Sequence, residues 1–181
     1  MLSEIEDLNY KGFEFNHKRP EILQDIIDRI PEDKKIIIWC KYEHDMHQIT
    51  ETLGQNNVAQ FYGKINPKNR EKSINEFRNG KRFFLATESC GGHGLTLNEA
   101  HYVIFYNNGF KYSERMQAED RCHRIGQECP VTYVDIVCED SIDERIMDSM
   151  YNKGSVVESF KQEVDAVKDK NNDLKELIRK L

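Results

Sequence analysis

Gln117-Ala118-Glu119-Asp120-Arg121-Cys122-His123-Arg124-Ile125-Gly126-Gln127 is dense in polar and charged side chains, yet it lies between two strongly apolar runs, Tyr102 to Tyr106 and Val131 to Val137. It therefore occupies the junction where one core strand hands over to the next, the kind of place where sites are built. A helix running from Ser113 to about Arg124 would put Gln117, Arg121 and Arg124 at i, i+4 and i+7, on one face near its C-terminal end. Two guanidiniums on one face suit an anion between them. The plainer alternative is that they pair with Glu114, Glu119 and Asp120 along the same helix.

Outward from this stretch, short continuous apolar runs recur between helical patterns. Ile36 to Cys40, Val58 to Tyr62, Arg82 to Thr87, Tyr102 to Tyr106 and Val131 to Val137 read as strands. Between them come a Pro20-initiated amphipathic helix carrying Ile22, Leu23, Ile26, Ile27 and Ile30, a helix from Tyr42 to Leu53 closed by Gly54, and one capped by Asn66 and opened by Pro67. This rhythm predicts an α/β fold: a mostly parallel sheet covered by helices on both faces, with a C-terminal helical extension. The chain divides into an N-terminal segment over 1–18, a lobe over 19–153 and an amphipathic helix over 154–181.

At 181 residues, 38% hydrophobic and 32% charged, the chain has material for one sizeable core plus an appendage. No apolar run approaches the ~20 residues of a membrane helix, and the N-terminus has no signal-peptide core, so a cytoplasmic protein with no membrane partner is expected. Cys40, Cys90, Cys122, Cys129 and Cys138 form no C-x-x-C pair, which argues against a disulfide framework or a zinc ribbon and for a reducing compartment. His44 and His47, flanked by Glu43 and Asp45, read as a solvated helix face in preference to a metal site. No metal ligand is assigned.

The net charge of −6 argues against a nucleic-acid binder, but it is unevenly spread. Lys64, Lys68, Arg70, Lys72, Arg78, Lys81 and Arg82 face only Glu71 and Glu76 between residues 64 and 82. Such a strip can contact phosphates on an acidic chain, or be a solvated helix.

After the third strand, Glu88-Ser89-Cys90-Gly91-Gly92-His93-Gly94-Leu95 concentrates glycines where a ligand of a parallel sheet would bind. Three glycines in four positions let the backbone approach an anion closely. Two decoys fail. Asn98-Glu99-Ala100-His101 imitates a D-E-A-H box but precedes its strand and has no metal-binding aspartate, so it reads as a surface turn. No G-x-x-x-x-G-K-[ST] phosphate loop occurs.

Q-A-E-D-R-C-H-R-I-G-Q closely resembles the last helicase motif of the Swi/Snf-type branch of superfamily 2, and A-T-E-S-C-G-G-H-G-L-T-L resembles the motif that precedes it. The resemblance extends over about residues 19–146 and corresponds to the second of the family's two RecA-like lobes. Ile36 to Tyr42, Phe61-Tyr62-Gly63 with Arg70 and Phe77, and Asp135 to Ile146 carry the rest of it. It implies that Arg121 and Arg124 reach the γ-phosphate of ATP bound on a separate first lobe, with Gln117, Asp120, Gly92 and Gly94 on the nucleotide side. It implies nucleic-acid contacts for Lys41, Thr87, Gly91, His93, Arg70, Lys64 and Phe110. Mg²⁺ would be held by the first lobe, which this chain does not resemble, so the isolated chain is expected to be inactive. The absence of long insertions is similar to compact phage or bacterial members.

Two positions depart from the family. Asn107-Asn108-Gly109-Phe110 stands where D-x-x-W-N-P is common, leaving Phe110 as the apolar ring. Glu88 stands where a threonine is frequent, which leaves Thr87 as the phosphate donor. Beyond the lobe, Ser141-x-x-Glu144 and Ser155-x-x-Glu158 read as capping boxes around Gly154. Phe160, Val164, Val167, Asn171, Leu174, Ile178 and Leu181 form a heptad-like stripe that either self-associates through 156–181 or packs on a lobe. The expected function is the motor half of an ATP-dependent translocase or helicase on DNA, duplex in particular. A non-catalytic binding module and an RNA helicase lobe are the alternatives.

Overall fold

The structure, a computed structural model, describes residues 17–92, 95–122, 129–152, 164 and 166–168. Five parallel strands form one sheet: β1 (Ile36–Cys40), β2 (Val58–Phe61), β3 (Phe83–Thr87), β4 (Tyr102–Phe105) and β5 (Thr132–Asp135). Their order is β2-β3-β1-β4-β5, so β1 is central, between β3 and β4. Among the described residues the α-helices α1 (Arg19–Asp28), α2 (Glu43–Leu53), α3 (Pro67–Asn79), α4 (Tyr112–Glu119) and α5 (Ile142–Tyr151) precede, connect or follow them.

Strand alternation sorts the apolar side chains into two cores, as a sheet covered on both faces requires. Ile36, Ile38 and Cys40 pack with Leu23 and Ile27 of α1 and with Met46, Ile49 and Leu53 of α2. Ile37 and Trp39 point the other way, into a cluster with Phe77 of α3 and Ala118 of α4. β1 is buried along its whole length, which explains why it reads as an unbroken apolar run. Phe84 joins the second core through tilted ring contacts with Phe61 at 5.7 Å and Phe77 at 5.3 Å.

The helix starts follow their local chemistry. Asn66 Oδ1 accepts from Asn69 N at 2.8 Å and Pro67 occupies the first turn of α3, where a missing N–H costs nothing. Ser141 Oγ caps α5, but it accepts from Asp143 N and not from the Glu144 amide that the S-x-x-E pattern points to. In α1, Leu23 and Ile27 are buried as the periodicity predicts, whereas Ile22 faces outward. Asn98 and Glu99 form the turn expected there, with Ala100 buried beneath it.

The arginine helix is shorter than its spacing predicts. α4 ends at Glu119, and Arg121 lies in the turn that follows. Two bonds explain the break: Arg121 Nε donates to the Gln117 carbonyl at 3.1 Å, and the Arg121 carbonyl accepts from Leu97 N at 3.0 Å. The second bond comes from the Gly-rich segment, so the chain leaves the helix axis to meet it. The predicted N-terminal segment 1–18 lies almost wholly outside the described residues, as do Arg124, His93, Gly94 and most of 154–181; Val164 and residues 166–168 are helical.

The C-terminal end of the basic strip over 64–82 is tied into the fold. Arg82 donates to the Ile30, Pro31 and Lys34 carbonyls, Arg78 pairs with Glu99 and donates to Thr96 O, and Lys81 bonds Val58 O and Glu76. No helix among the described residues is long and apolar enough to cross a membrane.

Candidate nucleotide and nucleic-acid interface

Three loops leave the carboxyl ends of β1, β3 and β4, and the Asn107 side chain and the Gly109 amide stitch them together. Lys41 N donates to Asn107 Oδ1 at 2.7 Å, and Asn107 Nδ2 donates to Asp45 Oδ2 at 2.6 Å, joining the β1–α2 loop to the β4–α4 loop. Gly109 N donates to Glu88 Oε2 at 3.0 Å, joining the β3 end to the same loop. Adjacent strand ends in an open parallel sheet are where such folds bind ligands.

Above this seam Lys41 and Phe110, both assigned to nucleic acid, meet. The Lys41 ammonium lies 3.4 Å from the Phe110 ring centroid and 5.1 Å from that of Tyr42. Both rings are exposed. Thr87 ends β3; it is buried, and its hydroxyl donates to Cys90 Sγ at 3.3 Å. Gly91 and Gly92 finish the single 3-10 turn Glu88–Gly92 that opens the Gly-rich loop. Arg70 sits beyond β2, where Nη2 donates to Gly63 O at 2.7 Å and the guanidinium lies 5.6 Å from the Phe61 ring. Lys64 is exposed and paired with Glu43 at 2.6 Å.

The arginine turn docks directly on the Gly-rich segment. Besides the Leu97–Arg121 backbone bond, Cys90, Leu95 and Leu97 share one buried cluster with Ala118 and Cys122. Burial pushes the Cys122 thiol up to about 12, so it is packing material and not a nucleophile. Arg121 is buried at 8% exposure beside Gln117, which it bonds; Asp120 is the C-cap that follows α4. Among the described residues no group of three His, Cys, Asp or Glu could hold a metal ion.

Two residues that sequence reasoning did not assign dominate the electrostatics. Arg115 is 7% exposed; Nη2 donates to Asp135 Oδ2 at 3.1 Å and Nη1 to Asp135 Oδ1, with further bonds from Nη1 to Asn108 Oδ1 at 2.7 Å and Nε to Glu119 Oε1 at 2.6 Å. Its guanidinium also stacks 3.3 Å from the Phe105 ring centroid. A signal existed: Arg115 precedes Ala118 and Cys122 by three and seven positions, which puts it on the buried face.

Glu88 is the second. It is 2% exposed, and burial pushes its carboxyl up to about 7 against the opposing pull of the Gly109 N–H, Arg115 and Lys41. Oε1 is buried without a hydrogen-bond partner among the described residues.

A five-stranded parallel sheet covered by helices, with cross-linked loops at the ends of β1, β3 and β4, defines an α/β lobe of RecA-like type. Residues 18–126, more than half of the chain, match the family model "Helicase conserved C-terminal domain". The chain belongs to that family, on its Swi/Snf-type superfamily 2 side. It is 29% identical over 154 residues to an uncharacterised ATP-dependent helicase of Mycoplasma pneumoniae, a match covering 82% of this chain and 15% of the relative. Among solved structures, the C-terminal part of the Fun30 ATPase domain superposes with a TM-score of 0.65 at 26% identity, covering 72% of this chain and 44% of that one. The C-terminal domain of the DEAD-box protein Dbp5, at 14% identity and a TM-score of 0.63 over 75% of this chain and 78% of that one, shares the fold. The chain thus spans about a seventh of the length of the Mycoplasma relative.

Proposed function

We propose that this chain is the second lobe of an ATP-driven DNA translocase or helicase, working against a first lobe that holds ATP and Mg²⁺. Arg121 and Arg124 act as the arginine fingers. Charge that develops on the γ-phosphate oxygens in the transition state is met by a positioned guanidinium, an effect worth roughly 10³ to 10⁵ in rate. Gln117 and Asp120, with Gly92 and Gly94, line the nucleotide side, while Lys41, Thr87, Gly91, His93, Arg70, Lys64 and Phe110 hold the nucleic acid.

The observation that carries this reading is the direct docking of the arginine turn on the Gly-rich segment through the Leu97–Arg121 bond and the Leu97–Ala118–Cys122 packing. A displacement of the Gly-rich loop by nucleic acid is transmitted through one backbone bond to Arg121. Closure on ATP and reopening on hydrolysis then step the two lobes along the strand.

The test is ATP turnover by the parent protein with and without duplex DNA, for wild type, Arg121→Ala and Arg124→Ala. Stimulation by DNA that either change abolishes, with ATP binding retained, supports the motor. Stimulation by RNA alone redirects the substrate. Absence of turnover, or turnover indifferent to both arginines, makes the lobe a binding module.

A further inference from the structure

The Gly-rich loop and the β4–α4 loop are held together by one buried carboxylate. Glu88 leaves the end of β3, crosses to the Gly109 amide at 3.0 Å, and keeps its other oxygen buried and without a hydrogen-bond partner among the described residues. The crossing is close: a Cβ on Gly109 would stand 2.7 Å from Glu88 Oε2. The charges facing this carboxyl come from two elements, Lys41 after β1 and the Glu114 and Arg115 side chains of α4, with the neutral Cys40 thiol on β1 beside them.

Those charges do not neutralise it well. Arg115 is already shared between Asp135 and Glu119, and Glu114 repels. Of the two compensating cations Arg115 is the stronger and Lys41 the weaker, but Lys41 is the one within reach of a ligand: it lies against Phe110 at the surface, where a phosphate would bind it. A phosphate that engages Lys41 withdraws that compensation and adds negative charge beside a carboxylate that cannot move into water.

We propose that Glu88 is a positioning residue that straps the Gly-rich loop to the β4–α4 loop and takes up one proton when a nucleic-acid phosphate docks on Lys41. The proton comes from solvent and is released when the phosphate leaves. It resides on Oε1, while Oε2 keeps the Gly109 bond. This inference rests on the nucleic-acid reading above. It adds that binding by this face is linked to pH.

The free carboxyl titrates at about 7. If the bound form stays protonated to pH 8, affinity falls roughly tenfold from pH 6 to pH 8. The experiment measures the dissociation constant of a duplex DNA oligonucleotide for the full protein at pH 6, 7 and 8, for wild type and Glu88→Gln. It adds calorimetry at pH 8 in two buffers of different ionisation enthalpy. Glutamine keeps the acceptor for Gly109 and carries no titrating proton. The expected result is a wild-type slope larger than that of Glu88→Gln, whose affinity at pH 8 matches wild type at pH 6, together with uptake of close to one proton by the wild type. Equal slopes in the two proteins, or no proton uptake by the wild type, overturn the strap and leave the DNA reading standing; the calorimetric arm decides if the variant does not fold. No binding of DNA at any pH overturns both.

Discussion

The guanidinium of Arg115 grips both carboxylate oxygens of Asp135, bolting α4 to the end of β5, and the same group accepts no help from solvent because it is 7% exposed. Removing one partner of a buried pair leaves an uncompensated charge. Arg115→Ala should therefore lower the unfolding free energy by about 3 kcal/mol in urea titration. Arg115→Lys should recover less than half, since an ammonium cannot serve Asp135 bidentately while also reaching Asn108 and Glu119. Full recovery by lysine would show that charge alone, and not the fork, holds α4.

Much of this architecture was legible beforehand, and the misses share one cause. The strands announced themselves because a strand buried on both faces must be apolar throughout, as Ile36–Cys40 is. The Asn66-Pro67 start of α3 was legible because capping is local. The end of α4 was not, since it is set by Leu97, distant in sequence, bonding the Arg121 carbonyl. The internal partners of the basic strip were not legible for the same reason. Charge counting sees Arg82 and Lys81 but not the Ile30, Pro31, Lys34 and Val58 carbonyls that absorb them. In the site, family motifs drew attention to Arg121 and away from Arg115, whose partners come from β4, α4 and β5 together.

Asn107 stands where the family commonly has an acidic residue, and its surroundings explain why an amide is needed. Its oxygen accepts from Lys41 N while its Nδ2 donates to Asp45 Oδ2, and Asp45 is 7% exposed. Asn107→Ala should cost about 2 kcal/mol by stranding both partners. Asn107→Asp should cost more than that at pH 8, because a second carboxylate would face Asp45, and less at pH 4, where one of the two can hold a proton. Chemical denaturation at the two pH values checks the reversal. An aspartate tolerated equally at both would mean that Asp45 turns away.

Glu88 makes stability itself depend on pH. Its folded value of about 7 lies above the ordinary 4.5, so the folded state holds the proton more tightly. Its contribution is most favourable below about 4.5, declines as pH rises towards about 7, and is level beyond. Glu88→Gln removes the cost of burying the charge. Relative to wild type it should gain up to roughly 3 kcal/mol between pH 4.5 and pH 8. Urea midpoints of both proteins across that range measure the difference. A constant difference would mean that the carboxyl stays ionised in the fold.

Gly109 has no room for a side chain, and the obstruction is Glu88 itself. A Cβ would lie 2.7 Å from Glu88 Oε2 and 3.6 Å from Glu114 Oε2, with no backbone atom among those close neighbours. The far end of a side chain can usually retreat, but this one is buried and bonded to the Gly109 amide. Gly109→Ala should therefore destabilise by about 1 to 3 kcal/mol in the wild-type background. In a Glu88→Ala background, where the obstructing carboxyl is gone, the same substitution should cost less than half as much, a coupling of about 1 kcal/mol or more in a double-mutant cycle. Equal costs in both backgrounds would place the constraint in the loop's own backbone and would remove the steric reason for a glycine opposite Glu88.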